Sequence, residues 1–161
     1  MGSDSDLPVM QEACTVFEHF AVPYEITVSS AHRSPDRTAE FARNARNRGI
    51  EVIIAGAGWA AHLAGFIASE TTLPVIGVPI DSSPLNGLDA LLATVQMPGG
   101  VPVATMTIGK AGAHNAAVFA VQILSLKHPA LQEKLIEFKQ DLSEKVEKKA
   151  RDLEQKLKKT V

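Results

Sequence analysis

Residues 51–78 read EVIIAGAGWAAHLAGFIASETTLPVIGV, and this stretch decides the fold. Its ends, 51–55 and 74–78, are apolar runs of strand length with several β-branched residues. Between them a small-residue loop at Gly56-Ala57-Gly58 leads into a helical pattern over about 60–70. Strand, helix and strand in that order make a crossover unit, whose strands run parallel in a sheet covered on both faces.

The alternation continues in both directions. Upstream, Asp6 is placed to cap a helix whose buried stripe is Val9, Met10, Ala13, Cys14, Phe17 and Phe20, ended by Pro23. Tyr24, Ile26 and Val28 alternate with Glu25 and Thr27, which predicts a strand over 24–28. Ser34 and Pro35 then open a helix that Gly49 closes. Downstream, a loop rich in Pro, Ser, Asn and Gly precedes a helix over 88–97, a strand over 101–108 and a helix over 112–126. Ligands of such sheets bind beyond the carboxyl ends of the strands.

The last segment has a different character. Leu131, Leu135, Phe138, Leu142, Val146, Ala150, Leu153 and Leu157 form one apolar stripe on a highly charged helix, from 130 to about 159. At 1.5 Å per residue it extends ~40 Å, longer than a small domain can cover by itself. The expected organisation is one domain: residues 1–128 as its α/β body and 129–161 as an amphipathic helix that packs on neighbouring subunits.

Composition excludes several functions. A formal charge of −2 with interspersed signs leaves no basic field for nucleic acid or an anionic membrane. No stretch approaches the ~18 apolar residues of a membrane span, and the N-terminal MGSDSDLP lacks the pattern of a signal peptide. The single Cys14 reads as a small buried hydrophobe in a reduced compartment, so a cytoplasmic protein is expected. There is no paired Cys, HExxH, GxSxG or GxGxxG; Gly56-Ala57-Gly58 is followed by Trp59-Ala60-Ala61. Neither a metal nor a dinucleotide cofactor is predicted.

The unusual residues gather in loops at predicted strand ends. Met1-Gly2-Ser3-Asp4-Ser5-Asp6 is small, rich in hydroxyls and opens into a helix, a setting that suits a phosphate. Ser29-Ser30-Ala31-His32-Arg33 places an imidazole beside a guanidinium: Arg reads phosphate or carboxylate, and His exchanges protons near neutrality. Gly56-Ala57-Gly58 lets a ligand approach the backbone and leaves His62 one turn into the next helix. His19, His114 and His128 have no such setting. These residues point to a phosphate-bearing small molecule and to proton transfer by His.

MGSDSD, SAHRSPD, AGAGWAAHLAG, LNGLDALLATVQMPGGVPVAT and IGKAGAHNAA stand in the order and spacing of one known group. Over about residues 2–126 the chain resembles the class I N5-carboxyaminoimidazole ribonucleotide mutases, the PurE family. The resemblance implies a flavodoxin-like three-layer α/β/α sandwich, assembled as a homo-octamer with shared active sites. It implies a cofactor-independent isomerase of purine biosynthesis, in which the substrate loses its carboxylate as CO₂ and carbon 4 of the imidazole takes it up. His32 corresponds to the catalytic histidine. Ser3, Asp6, Ser30 and Arg33 correspond to the residues around the ribose phosphate, and Ala57, Gly58, His62 and Leu63 to the wall around the imidazole and the migrating carboxylate.

The chain departs from the family pattern in places. Members carry an apolar β-strand leading into the first loop, and this sequence begins in that loop, so a sheet without that strand is expected, by truncation more than by rearrangement. Trp59 stands where the motif has Gly, and Ala64 where it has Pro. The indole, beside the carboxylate wall that the resemblance implies, either narrows the pocket there or packs outward against a neighbouring subunit. The nearest alternative is a class II member, which carboxylates aminoimidazole ribonucleotide with CO₂; Arg33, where those have Lys, and Ala60-Ala61-His62, where they have a Ser-Asn pair, favour class I. A non-catalytic homologue and a flavin-binding regulatory module are more distant alternatives.

Overall fold

The described residues of this computed structural model are 1–158. In α1 (Leu7–Phe20), Met10, Ala13, Val16 and Phe20 recur at three and four and are buried, whereas Cys14 and Phe17 are only half-buried. The helix stops at Ala21, which turns left-handed at φ 55° before Pro23. Pro35, with no N–H to lose at a helix start, opens α2 (Pro35–Asn44). Gly49, at φ 83°, closes the short turn that follows it.

Next come β1 (Ile53–Gly58), α3 (Leu63–Glu70), β2 (Val75–Ile80), α4 (Leu88–Val95), β3 (Ala104–Thr105) and α5 (Lys110–Ser125). The strands form a parallel sheet in the order β1-β2-β3, with Ile53 opposite Val75 and Ile76 opposite Ala104. Every residue of the central β2 is buried, as an apolar run sandwiched on both faces should be.

The packing of consecutive residues gives the layers. A Cβ at Gly77 would meet Ala64 of α3 and Thr94 of α4, while Val78 lies under Gly112 of α5 and its neighbour Gly56 under Met10 of α1. Since successive strand residues face opposite ways, α3 and α4 cover one face and α1 and α5 the other. On the first face Ala42, Ala45, Ile53, Ala55, Leu63, Ala64, Ile67, Leu73 and Val75 form a continuous core. This is the expected α/β/α sandwich.

Several local expectations are corrected. Residues 24–28 do not form a strand: the backbone hydrogen bonds around this stretch among the described residues come from Met1, whose ammonium donates to Thr27 O at 3.0 Å and whose carbonyl accepts from Ser29 N at 2.9 Å. Alternation alone makes no ladder, and Tyr24, Ile26 and Val28 stay 43, 47 and 40% exposed. Gly56, Ala57 and Gly58 are not loop but the end of β1, paired with Val78, Pro79 and Ile80. The strand predicted over 101–108 shrinks to Ala104–Thr105. Helix α3 begins at Leu63 because Trp59 takes a left-handed φ of 55° and breaks the run from Ala60.

The chain divides into two compact units, Met1–Ile123 and one starting at Leu124. The second holds α6 (Pro129–Lys158), ~45 Å long by its residue rise. Leu142, Val146, Leu153 and Leu157 on it are exposed. Its expected end near Lys159 falls outside the described residues. No described helix is long and apolar enough to cross a membrane.

Candidate active site

The first loop is shaped by its own polar groups. Ser3 caps a single 3-10 turn, Asp4–Asp6, in a capping box: Ser3 Oγ accepts from Ser5 N at 3.3 Å, and Asp6 Oδ2 accepts from Ser3 N at 3.0 Å. Asp6 therefore ties back to Ser3 rather than capping α1, the role expected from its position. It is 5% exposed, and loss of hydration raises its carboxyl above the ordinary 3.8, opposed by the Ser3 N–H and the Met1 ammonium. Burial in turn lowers the Met1 ammonium, with Asp6 acting against the shift.

The second loop is fastened to this one. Gly2 N donates to Gly56 O at 3.1 Å and Gly2 O accepts from Arg33 Nη2 at 3.4 Å, so the first loop bridges β1 and the loop after residue 29. Ser30 Oγ accepts from Arg33 N at 3.2 Å. Ser34 makes no side-chain cap on α2; its hydroxyl accepts from Ser30 N and donates to Ser30 O, both at 3.1 Å. Beneath, Ser29 Oγ and Thr38 Oγ1 share a buried hydrogen bond of 2.7 Å that anchors the loop to α2.

Between these loops lies a cleft of about 360 Å³. Ser3, Ser30 and Arg33, three of the residues predicted for a phosphate, line it together with Asp4, Ser34 and Arg37. Sequence reasoning missed Arg37, although a second Arg in the first turn of the helix that Pro35 opens, just after the Arg33 loop, was the available signal. The cleft offers hydroxyl donors and two guanidinium groups, the chemistry of a phosphate ester.

The other predicted residues gather beside it. His32 Nε2 and His62 Nδ1 are 2.7 Å apart, with the rings edge to face. One proton lies between these nitrogens, so one ring donates while the other accepts. His62 is not one turn into α3, as expected, but at its N-cap. Ala57 and Gly58 end β1, and a Cβ on Gly58 would fall 1.8 Å from Ser82 Oγ, which brings the loop after β2 to the same edge. Leu63 is 3% exposed, its side chain in the core; at the first helical position its main-chain N–H has no partner within the helix. Trp59 is 59% exposed and does not line this cleft. No metal-holding group of three or more His, Cys, Asp or Glu occurs among the described residues.

The AIR carboxylase family profile matches residues 1–145. A curated N5-carboxyaminoimidazole ribonucleotide mutase of Pyrococcus horikoshii is 61% identical over 155 residues, 96% of this chain and 86% of that protein. The protein of that name from Thermotoga maritima is 58% identical, over 96% of this chain and 90% of its own length, and the one from Bacillus subtilis 58%, over 91% and 90%. Among solved structures, Treponema denticola PurE superposes with a TM-score of 0.80 at 23% identity, covering 91% of this chain and 90% of that one. At that identity the match speaks for the fold.

Proposed function

The chain belongs to the AIR carboxylase family, and from that premise we propose that it carries out the N5-carboxyaminoimidazole ribonucleotide mutase reaction of purine biosynthesis with His32 as the proton carrier. The carboxylate leaves the exocyclic nitrogen as CO₂, and that nitrogen gains a proton. Carbon 4 of the imidazole then bonds to the CO₂ and gives up its own proton. One proton is supplied and one removed, so a single acid/base group can serve both steps. No electrons are gained or lost.

The observation that carries this reading is the meeting of His32 and His62 at 2.7 Å, from loops 30 residues apart, beside a cleft of hydroxyls and arginines. In this reading Ser3, Ser30 and Arg33 hold the ribose phosphate, and Asp6 keeps Ser3 in place. Ala57, Gly58 and His62 wall the imidazole and the migrating carboxylate, with Leu63 acting through its main-chain N–H. Confinement keeps the CO₂ beside the ring and adds a proximity term to catalysis.

We further propose a cytoplasmic homo-octamer in which α6 packs on neighbouring subunits. Exposed apolar side chains support it: Leu85, Leu88, Leu92 and Val95 along α4 and its entry, and Leu142, Val146, Leu153 and Leu157 on α6.

A His32→Asn variant tests the reaction. Turnover without ATP or added metal is expected to fall by about 10² to 10⁴, while affinity for the nucleotide stays within a few-fold of the unaltered protein. Turnover retained in that variant rejects His32 as the proton carrier.

A further inference from the structure

We propose that Arg37 is a second cation of the phosphate cleft, binding the phosphoryl group of the nucleotide together with Arg33; the inference rests on the nucleotide reading above. Arg37 stands in the first turn of α2 and Arg33 in the loop two residues before that helix begins, and both residues line the cleft. Each is steadied from a different direction. Arg33 Nη2 donates to Gly2 O at 3.4 Å, and Arg37 Nη2 donates to Thr27 Oγ1 at 3.2 Å.

Both acceptors are neutral, so these bonds orient the guanidinium groups without neutralising them. The carboxylate that lines the cleft, Asp4, is turned to its own loop, with Oδ1 accepting from Ser3 Oγ at 3.1 Å and Ser5 N at 3.0 Å. A guanidinium has five N–H donors, which leaves most of those on Arg37 for a ligand. A phosphate monoester carries roughly −1.5 to −2 at neutral pH. Arg33 alone leaves part of that charge uncompensated, and the hydroxyls of Ser3, Ser30 and Ser34 bind oxygens without cancelling it. Two guanidinium groups match it.

Calorimetric titration decides the matter, with the unaltered protein, Arg37→Ala and Arg37→Lys. The probes are 5-aminoimidazole ribonucleotide, its phosphate-free ribonucleoside and inorganic phosphate. Arg37→Ala is expected to bind the ribonucleotide about 10-fold more weakly and the ribonucleoside within twofold of the unaltered protein, with Arg37→Lys recovering most of the loss through its point charge. Equal ribonucleotide affinity with and without Arg37 overturns the proposal. So does an equal loss for ribonucleotide and ribonucleoside, which would make Arg37 a brace for Thr27 only. If the unaltered protein shows no mutase turnover, the nucleotide reading falls and inorganic phosphate decides for Arg37 separately. Weaker phosphate binding by Arg37→Ala supports the second cation, and equal binding, or none by either, overturns it.

Discussion

Gly58 ends β1 where the sheet meets the candidate site, and its replacement by Ala has a cost that can be worked out atom by atom. The added Cβ would lie 1.8 Å from Ser82 Oγ, 3.1 Å from Ser82 Cβ and 3.1 Å from Ile80 O. The hydroxyl can rotate to another staggered well, which relieves the shortest contact. The contacts to Ser82 Cβ and to the Ile80 carbonyl survive any rotation and need a backbone shift. Overpacking of this kind costs about 1–3 kcal/mol, so Gly58→Ala is expected to destabilise by about 2 kcal/mol. Ser82→Ala, at an exposed position, should stay within about 0.5 kcal/mol of the unaltered protein. Combining the two removes the 1.8 Å contact, so the double variant should recover about 1 kcal/mol of the loss as a coupling energy. Urea unfolding at one fixed protein concentration, followed by far-UV circular dichroism, measures all corners of the cycle. A neutral Gly58→Ala, or a double variant as unstable as the single, would refute the steric reasoning. Because His62 lies four residues beyond Gly58, turnover should fall as well, by ~10² if the displacement there reaches 1 Å.

Other outcomes follow from the site and its edges. Asp6 has a carboxyl raised above 3.8 by burial, so the folded protein binds its proton more readily than the unfolded chain. Its contribution to stability is therefore greatest at low pH and is lost as pH rises from about 3.8 through the raised folded value. Asp6→Asn removes that slope and keeps an oxygen for Ser3 N, so its melting temperature should gain on the unaltered protein with rising pH and then level off. A difference that does not vary between pH 3.5 and 7 would contradict this assignment. Trp59 holds a left-handed φ of 55°, which costs a non-glycine residue about 1–2 kcal/mol. With the indole 59% exposed, Trp59→Gly should raise unfolding stability by about 0.5–1 kcal/mol; a loss would mean that contacts of the indole outweigh the strain.

The β1-α3-β2 unit was legible because its apolar runs and helix period are both burial signals, and burial is what the sheet provides. The stretch at residues 24–28 has the same local signal and fails, since a strand also needs a neighbour along its length and Met1 covers only Thr27 and Ser29. Gly56 and Gly58 look like turn residues in isolation. Their absent side chains instead admit the Met10 thioether and Ser82, a close approach between distant segments that composition does not record. His62 was placed too deep in α3 because Ala60 and Ala61 favour a helix, and nothing local announces the left-handed Trp59. Ser3, Ser30 and Arg33, legible as loop residues, line one polar cleft, whereas Arg37 sits beyond the loop in an ordinary helical stretch that carries little local signal.

The burial of β2 has a consequence for motion. Its backbone is sealed on both faces and paired along both edges, so its amides should open only when the whole sheet does. On the far side of β1, the backbone of residues 24–29 is bonded through Met1, and the rest of its hold is side-chain bonds such as Thr27 to Arg37 and Ser29 to Thr38, so openings there need not involve the sheet. The site straddles this gradient. With the proposed roles, the His62 wall would stand on the stiff part of the molecule and the polar cleft on the compliant part, so a bound nucleotide would do most of its ordering at its phosphate end and find its ring pocket already set.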